Sequence, residues 1–375
     1  MRIAVNTRLL LKDKLEGIGW YSYETLKRIT QQHKDVSFYF IFDRMYDEDF
    51  IFSDNITPII QAPQARHPVL FYLWFEQALP PLLKKINADL FLSPDGYLSL
   101  KTKTKSIAVI HDLNFEHYPE DFPWMVRRYY RYYFPRFAKK ATRIVTVSEF
   151  SKSDIIAKYG INPELIDISC NGMNERYAPL GEKEQIEIRT KYTSGEDYFI
   201  FIGALIPRKN VSNLFLAFDI FKSRTRSRLK LVIVGEKKWW TKSMQQHFQN
   251  MKYRDDVIFL GRQQVDTLRE LLASALALTY VSYFEGFGIP ILEAFACKTP
   301  VITANITSMP EIAADAALLC YPFNPESIAE AMIKIYKDED LRNDLIEKGS
   351  VRKDAYSWQI GSEQLWKSVE KTIQM

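Results

Sequence analysis

The sequence predicts an α/β protein built from two Rossmann-like domains. Three observations carry that prediction. Short apolar, β-rich segments alternate with helical patterns along most of the chain, as in parallel sheets covered by helices. The alternation comes as two series, separated by a charged stretch that holds Pro179, Gly181 and Gly195. The length, 375 residues, is too great for one ordinary core and suits two.

In the first series, residues 2–6 read as a strand and 17–33 as a helix. Residues 37–42 form the next strand. Residues 67–86 are mostly helical, with Pro68, Pro80 and Pro81 breaking the ends. Residues 88–93 and 106–110 are strands, 123–140 is a long helix bent at Pro135, and 141–147 is a strand. Ser148 then caps a helix with acidic residues in its first turns, and 165–169 is a last short strand. The second series has strands at 198–203, 229–234, 256–260, 275–282, 300–303 and 317–320, with helices between them. Three more helices follow, at 326–337, 339–353 and 358–373. The expected organisation is a first domain over 1–173, a linker region over 174–195 that could include a short helix, a second domain over 196–355, and a final helix over 356–375.

Composition narrows the function classes. Hydrophobic residues make up 47% and charged residues 26%, which describes a soluble globular protein. No apolar run reaches the roughly 18 residues that span a bilayer, and Met1–Asn6 reads as a strand, not a signal peptide. Cys170, Cys297 and Cys320 are scattered, with neither metal nor disulfide spacing. A reducing cytoplasm is the expected location, with contact at the inner face of the membrane as an option. A net charge of +4 is mild. It fits an anionic substrate, and no nucleic-acid-binding pattern is present.

The chemistry concentrates at Tyr283-Phe284-Glu285-Gly286-Phe287-Gly288-Ile289-Pro290-Ile291-Leu292-Glu293-Ala294. A buried strand precedes this stretch and a helix with Pro in its first turn follows. Gly286 and Gly288 allow a ligand to approach the backbone, and the N–H groups of Phe287, Gly288 and Ile289 open toward an anion. Glu285 on the loop and Glu293 on the helix could accept hydrogen bonds from hydroxyls on either side. Hydroxyls at both ends and phosphate in the middle describe a nucleotide sugar. The same residues also suit an ordinary loop-to-helix junction, in which a glutamate complements the helix dipole.

Other candidates fall at strand carboxyl ends, where doubly wound sheets bind ligands. Gly17-Ile18-Gly19 opens a helix and is either a phosphate approach or a simple turn. His111-Asp112-Leu113 follows a strand, so His111 either meets a hydroxyl or is structural with Asp112 as a cap. Arg208 and Lys209 stand where a helix begins and cations are disfavoured, which suggests an anion between them, although a surface pair is the alternative. Gly203, Gly261 and Arg262 close strands on the same side. The basic and aromatic helix 124–140 could pack its tyrosines inward, line an acceptor cleft, or lie on an anionic membrane.

The ordered set of Gly17, His111, Val147-Ser148-Glu149-Phe150-Ser151, Asn171-Gly172, Arg208-Lys209 and Glu285 with Glu293 resembles the retaining glycosyltransferases of group 1 (family 4), with the Glu-x7-Glu signature. The resemblance covers nearly the whole chain. It implies a GT-B fold: two Rossmann-like domains facing each other across a cleft, with the C-terminal helix crossing back to the first domain near Tyr356-Ser357-Trp358. It also implies a metal-independent enzyme with no cofactor. Gly17, Arg208 and Lys209 would bind the donor's diphosphate, His111 and Glu285 the sugar, Glu293 the ribose, and Gly261 and Arg262 the region of the base. The set looks most like bacterial mannosyltransferases that use GDP-mannose, with a glycan or lipid-linked oligosaccharide as acceptor. UDP-sugar transferases and a non-catalytic nucleotide-sugar-binding protein remain the rivals. A phosphorylase would need a longer chain, and an epimerase an acid/base set that is not seen.

Overall fold

The computed structural model describes residues 1–375 and contains two compact units. Met1–Gly172 with Ser357–Met375 forms the first, and Met173–Tyr356 the second. In the first unit the strands are β1 (Arg2–Asn6), β2 (Ser37–Phe42), β3 (Ile56–Ile60), β4 (Leu90–Ser93), β5 (Lys105–Val109), β6 (Arg143–Thr146) and β7 (Ile166–Ile168). They form one sheet in the order β3-β2-β1-β4-β5-β6-β7, with every pairing parallel. In the second unit β8 (Tyr198–Ile202), β9 (Lys230–Val234), β10 (Val257–Gly261), β11 (Ala277–Tyr280), β12 (Val301–Ala304) and β13 (Leu318–Cys320) pair in parallel in the order β10-β9-β8-β11-β12-β13. Central strands such as β8 are buried at every residue, the reason they read as continuous apolar runs. Phe199, Phe201, Leu231 and Ile233 pack on helix Val211–Thr225 through Phe215, Phe218 and Phe221.

Two features differ from the sequence reading. The strand β3 went unread because Pro58 lies in Ile56-Thr57-Pro58-Ile59-Ile60. On the edge of the sheet, beside β2 only, a residue without an N–H is tolerated. The helical stretch 67–86 is not broken at its ends by Pro80 and Pro81. It runs as helix Pro68–Leu73, a π turn Trp74–Ala78 and helix Leu79–Lys85. Pro80 and Pro81 cannot donate to carbonyls one turn back, and they sit at the start of the last of these segments, where that loss costs least. Residues 174–195 hold a 12-residue helix, Glu182–Thr193, whose Arg189 donates to the Ser274 carbonyl of the second unit.

The last helix, Trp358–Gln374, belongs to the first unit. Ser357 caps it, accepting from Ile360 N. It lies along helix Gly17–Gln32, with Trp366 stacked on His33 at 3.6 Å between ring centroids. Gly361 makes this docking possible: a Cβ there would lie 2.2 Å from the Cys170 carbonyl oxygen. The backbones meet closely enough for Ser169 Oγ to donate to the Gly361 carbonyl at 2.8 Å. No helix is long and apolar enough to cross a membrane.

Candidate functional site

The second unit gathers its charged candidates at the carboxyl ends of β8 and β11. After β8 the chain turns through a short 3-10 helix, Pro207–Lys209, and Asn210 adopts a left-handed conformation that starts helix Val211–Thr225. Asn210 is pinned there because its amide donates to the carbonyls of Val281 and Pro322, at 3.0 and 2.7 Å. This joins the β8 turn to the segment after β11. Tyr283 N donates to the Arg208 carbonyl and Arg208 donates to that of Phe284, at 2.9 and 3.1 Å.

The anion between Arg208 and Lys209 is a carboxylate of the chain itself. Arg208 stands 2.8 Å from one oxygen of Glu285 and Lys209 Nζ 2.6 Å from the other. Lys209 also donates to the Tyr280 hydroxyl at 2.6 Å and lies over its ring. Glu285 is only 6% exposed. Burial alone would push its pKa up, but Arg208 and Lys209 overcome this and bring it down from 4.5 to about 2. The carboxylate is therefore ionised at any physiological pH. The buried Tyr280 hydroxyl is held well above its usual pKa, first by desolvation and then by Glu285.

The loop that carries Glu285 is fixed by side chains from beyond β12. Ser308 Oγ donates to the carbonyls of Glu285 and Phe287, each at 2.9 Å. Glu285 N donates to Thr307 Oγ1 at 3.4 Å. Gly286, Phe287 and Gly288 are buried, Phe287 lies edge-on to Tyr356, and Gly288 caps helix Ile289–Ala296. Glu293 lies in the second turn of that helix and takes a hydrogen bond from buried Tyr177. Desolvation pushes its pKa up to about 7. The two glutamates of the signature thus differ in kind: Glu285 is locked as an anion, and Glu293 titrates near neutrality.

The glycines follow one strand-end rule. Gly203 ends β8 beside the Lys209 stem, and a Cβ on Gly235, which ends β9, would lie 1.9 Å from the Gly203 oxygen. Gly235 N in turn donates to the carbonyl of Gly261, the last residue of β10. At Gly235 the two backbones meet too closely for any side chain, which only glycine permits. Arg262 is exposed next to it.

His111 and Gly17 lie in the first unit. Gly17 is exposed and is the first residue of helix Gly17–Gln32. His111 follows β5 and is part-buried, with Tyr21 edge-on to its ring at 4.9 Å. Its Nε2 lies 2.8 Å from the Pro94 carbonyl, so Nε2 carries the hydrogen and donates. Desolvation lowers its pKa, which favours the neutral ring and leaves Nδ1 as an acceptor. Behind Pro94, Asp95 accepts from Asn6 at 2.8 Å and Arg8 at 2.7 Å, and Arg8 stacks on Tyr97.

Profiles of known families account for both units. The profile described as "Glycosyl transferases group 1" matches residues 182–352, and that of "Glycosyltransferase Family 4" matches residues 15–177. The chain belongs to the group 1 glycosyltransferases. Its relatives include the O-antigen chain mannosyltransferase B of Escherichia coli, 27% identical over 361 residues, which cover 93% of this chain and 94% of that protein. The O-antigen chain mannosyltransferase RfbU of Salmonella typhimurium is 29% identical over 282 residues, 75% of this chain and 74% of that one. Among solved structures, Anabaena HepE in complex with UDP-glucose superposes with a TM-score of 0.75 at 16% identity, over 99% of this chain and 100% of that one. WaaG, a glycosyltransferase involved in lipopolysaccharide biosynthesis, gives 0.72 at 17% identity, over 96% and 98%. The fold of this glycosyltransferase is thus GT-B.

Several residues that build the site escaped the sequence reading. Tyr280 sits inside a strand and Tyr177 inside the stretch read as linker; neither has a local mark. Thr307 and Ser308 lie beyond the next strand, so only the β11–β12 pairing brings them to Glu285. Asn210 carries the one detectable signal, as an Asn directly before a helix.

Proposed function

We propose that this glycosyltransferase moves mannose from GDP-mannose to a glycan or lipid-linked oligosaccharide, with retention of configuration and without a metal. The observation that carries the reading is the ionised, buried Glu285 between Arg208 and Lys209, in the loop that feeds helix Ile289–Ala296. The mannosyltransferase relatives support the choice of sugar.

In this reading the bond between the anomeric carbon and the diphosphate oxygen breaks, and its electron pair stays on the diphosphate. Arg208 and Lys209 stabilise the charge that grows there. The acceptor hydroxyl oxygen bonds to the anomeric carbon from the same face, and its proton passes to the departing diphosphate oxygen. Glu285 orients sugar hydroxyls and is not a covalent nucleophile. His111 accepts a sugar hydroxyl through Nδ1, Glu293 accepts from the ribose, and the backbone N–H groups of Phe287 and Gly288 serve the donor.

The test is a thermal-shift panel of nucleotide sugars followed by NMR of the product. GDP-mannose should stabilise the protein most and yield an α-linked mannoside. Stabilisation by UDP-sugars alone would overturn the donor, and a β-linked product the retention. Tight binding with no transfer to any acceptor preparation would favour a binding protein.

A further inference from the structure

Three aromatic rings stand together at the carboxyl edge of the second sheet. Tyr283 lies three residues after β11 and two before Glu285, and Tyr321 and Phe323 lie in the turn that follows β13. Phe323 stacks on Tyr283 with 5.8 Å between centroids and 23° between planes, and Tyr321 meets Phe323 edge-on at 5.7 Å. Such rings are ordinarily buried, yet Tyr321 is 49% and Phe323 45% exposed, with Tyr283 half-buried beside them.

The rings are fixed relative to the charged centre. Tyr283 N donates to the Arg208 carbonyl. The Pro322 carbonyl, between Tyr321 and Phe323, accepts from Asn210 at 2.7 Å and from Asn213 at 3.1 Å, and Asn210 directly follows Lys209. Tyr321 N donates to Ser327 Oγ at 3.0 Å, and Asn324 N to the Tyr321 carbonyl at 3.1 Å. The rings therefore form a pre-organised platform, with little left to order when a ligand binds. Residues 316–325 hold no charge, and the next charged residue, Glu326, pairs with Arg224 at 2.7 Å.

We propose that this platform is a subsite for an uncharged oligosaccharide, the part of a glycan acceptor beyond the sugar that is extended. Pyranose faces would stack on Phe323 and Tyr321, and the exposed Asn324 amide would donate to their hydroxyls. The proposal rests on the reading of the acceptor as a glycan. A pyranose has an apolar face of C–H groups and a rim of hydroxyls, which suits a flat ring with an electron-rich face and polar neighbours. A phosphate or an acidic chain would find no unpaired cation here. A protein partner needs roughly 20–30 residues a side, and Leu319 is the one other exposed large apolar side chain of β13 and its turn.

The test is ligand-observed NMR titration of the full chain with mannotetraose, maltotetraose and chitotetraose, and with methyl α-mannoside as a single-ring control. At least one tetrasaccharide should bind, and more tightly than the single ring. Tyr321→Ser with Phe323→Ser should raise its Kd about tenfold, as expected when an apolar contact face is lost. Phe323→Tyr, which keeps the ring, should bind like wild type. Both positions are exposed, so unchanged melting and an unchanged thermal shift with GDP would show that the fold and the donor site are intact. No binding of any tetrasaccharide would overturn the subsite, and so would wild-type affinity in the serine variant. The titration contains no donor, so failure of GDP-mannose to stabilise the protein would overturn the donor reading and leave this one standing.

Discussion

Glu285→Gln isolates the charge at the centre of the second unit. Glutamine keeps the shape of the side chain and leaves Arg208 and Lys209 without their counter-ion. The fall of the Glu285 pKa from 4.5 to about 2 corresponds to about 3 kcal/mol of favourable interaction in the folded state. One kcal/mol moves the melting temperature of a domain this size by roughly 2–4 °C. The transition of the second unit should therefore drop by about 6–12 °C at pH 7, seen by calorimetry. Because the folded pKa is depressed, this contribution is present above pH 4.5 and is lost as pH falls toward 2. The gap between wild type and variant should hold from pH 7 to pH 5 and close below that. Lys209→Met should be costly alone, but combined with Glu285→Gln it should cost less than the sum, since each change removes the same pair. A drop of under about 2 °C for Glu285→Gln, or strict additivity with Lys209→Met, would refute the reasoning.

Three further outcomes follow from the same geometry. Arg208→Ala and Lys209→Ala should lower turnover more than donor affinity, because charge on the diphosphate grows as the bond breaks; steady-state kinetics beside calorimetric binding would show a loss confined to affinity if that is wrong. Glu293 is raised to about 7, so its ionisation costs folding stability as pH rises through 7. Glu293→Gln should stabilise the unliganded protein more at pH 8 than at pH 5 while weakening donor binding by about 1–3 kcal/mol at pH 8, and a pH-independent melting difference would contradict this. Gly361→Ala pushes a methyl into the Cys170 carbonyl and should cost about 1–3 kcal/mol in the first unit, read by its melting transition, where wild-type stability would mean that the helix shifts without cost.

Much of the architecture was readable from local pattern. A strand buried on both faces, such as Tyr198–Ile202, must be apolar throughout, and a helix beside it must show its own period, so alternating series in the sequence marked two parallel sheets. The glutamates and the Arg208-Lys209 pair were visible because charge is out of place beside a buried strand and at a helix start. Their relation was not visible. The sequence reading inferred an anion between the cations, but only the β8–β11 pairing makes that anion Glu285, 76 residues beyond Lys209. The roles of Tyr280 and Ser308 have the same origin, as does the Pro94 carbonyl that sets the His111 tautomer. Periodicity records whether a side chain is buried within its own element. Which strand ends stand side by side depends on strand order, a non-local choice, and that order decides which buried charge meets which.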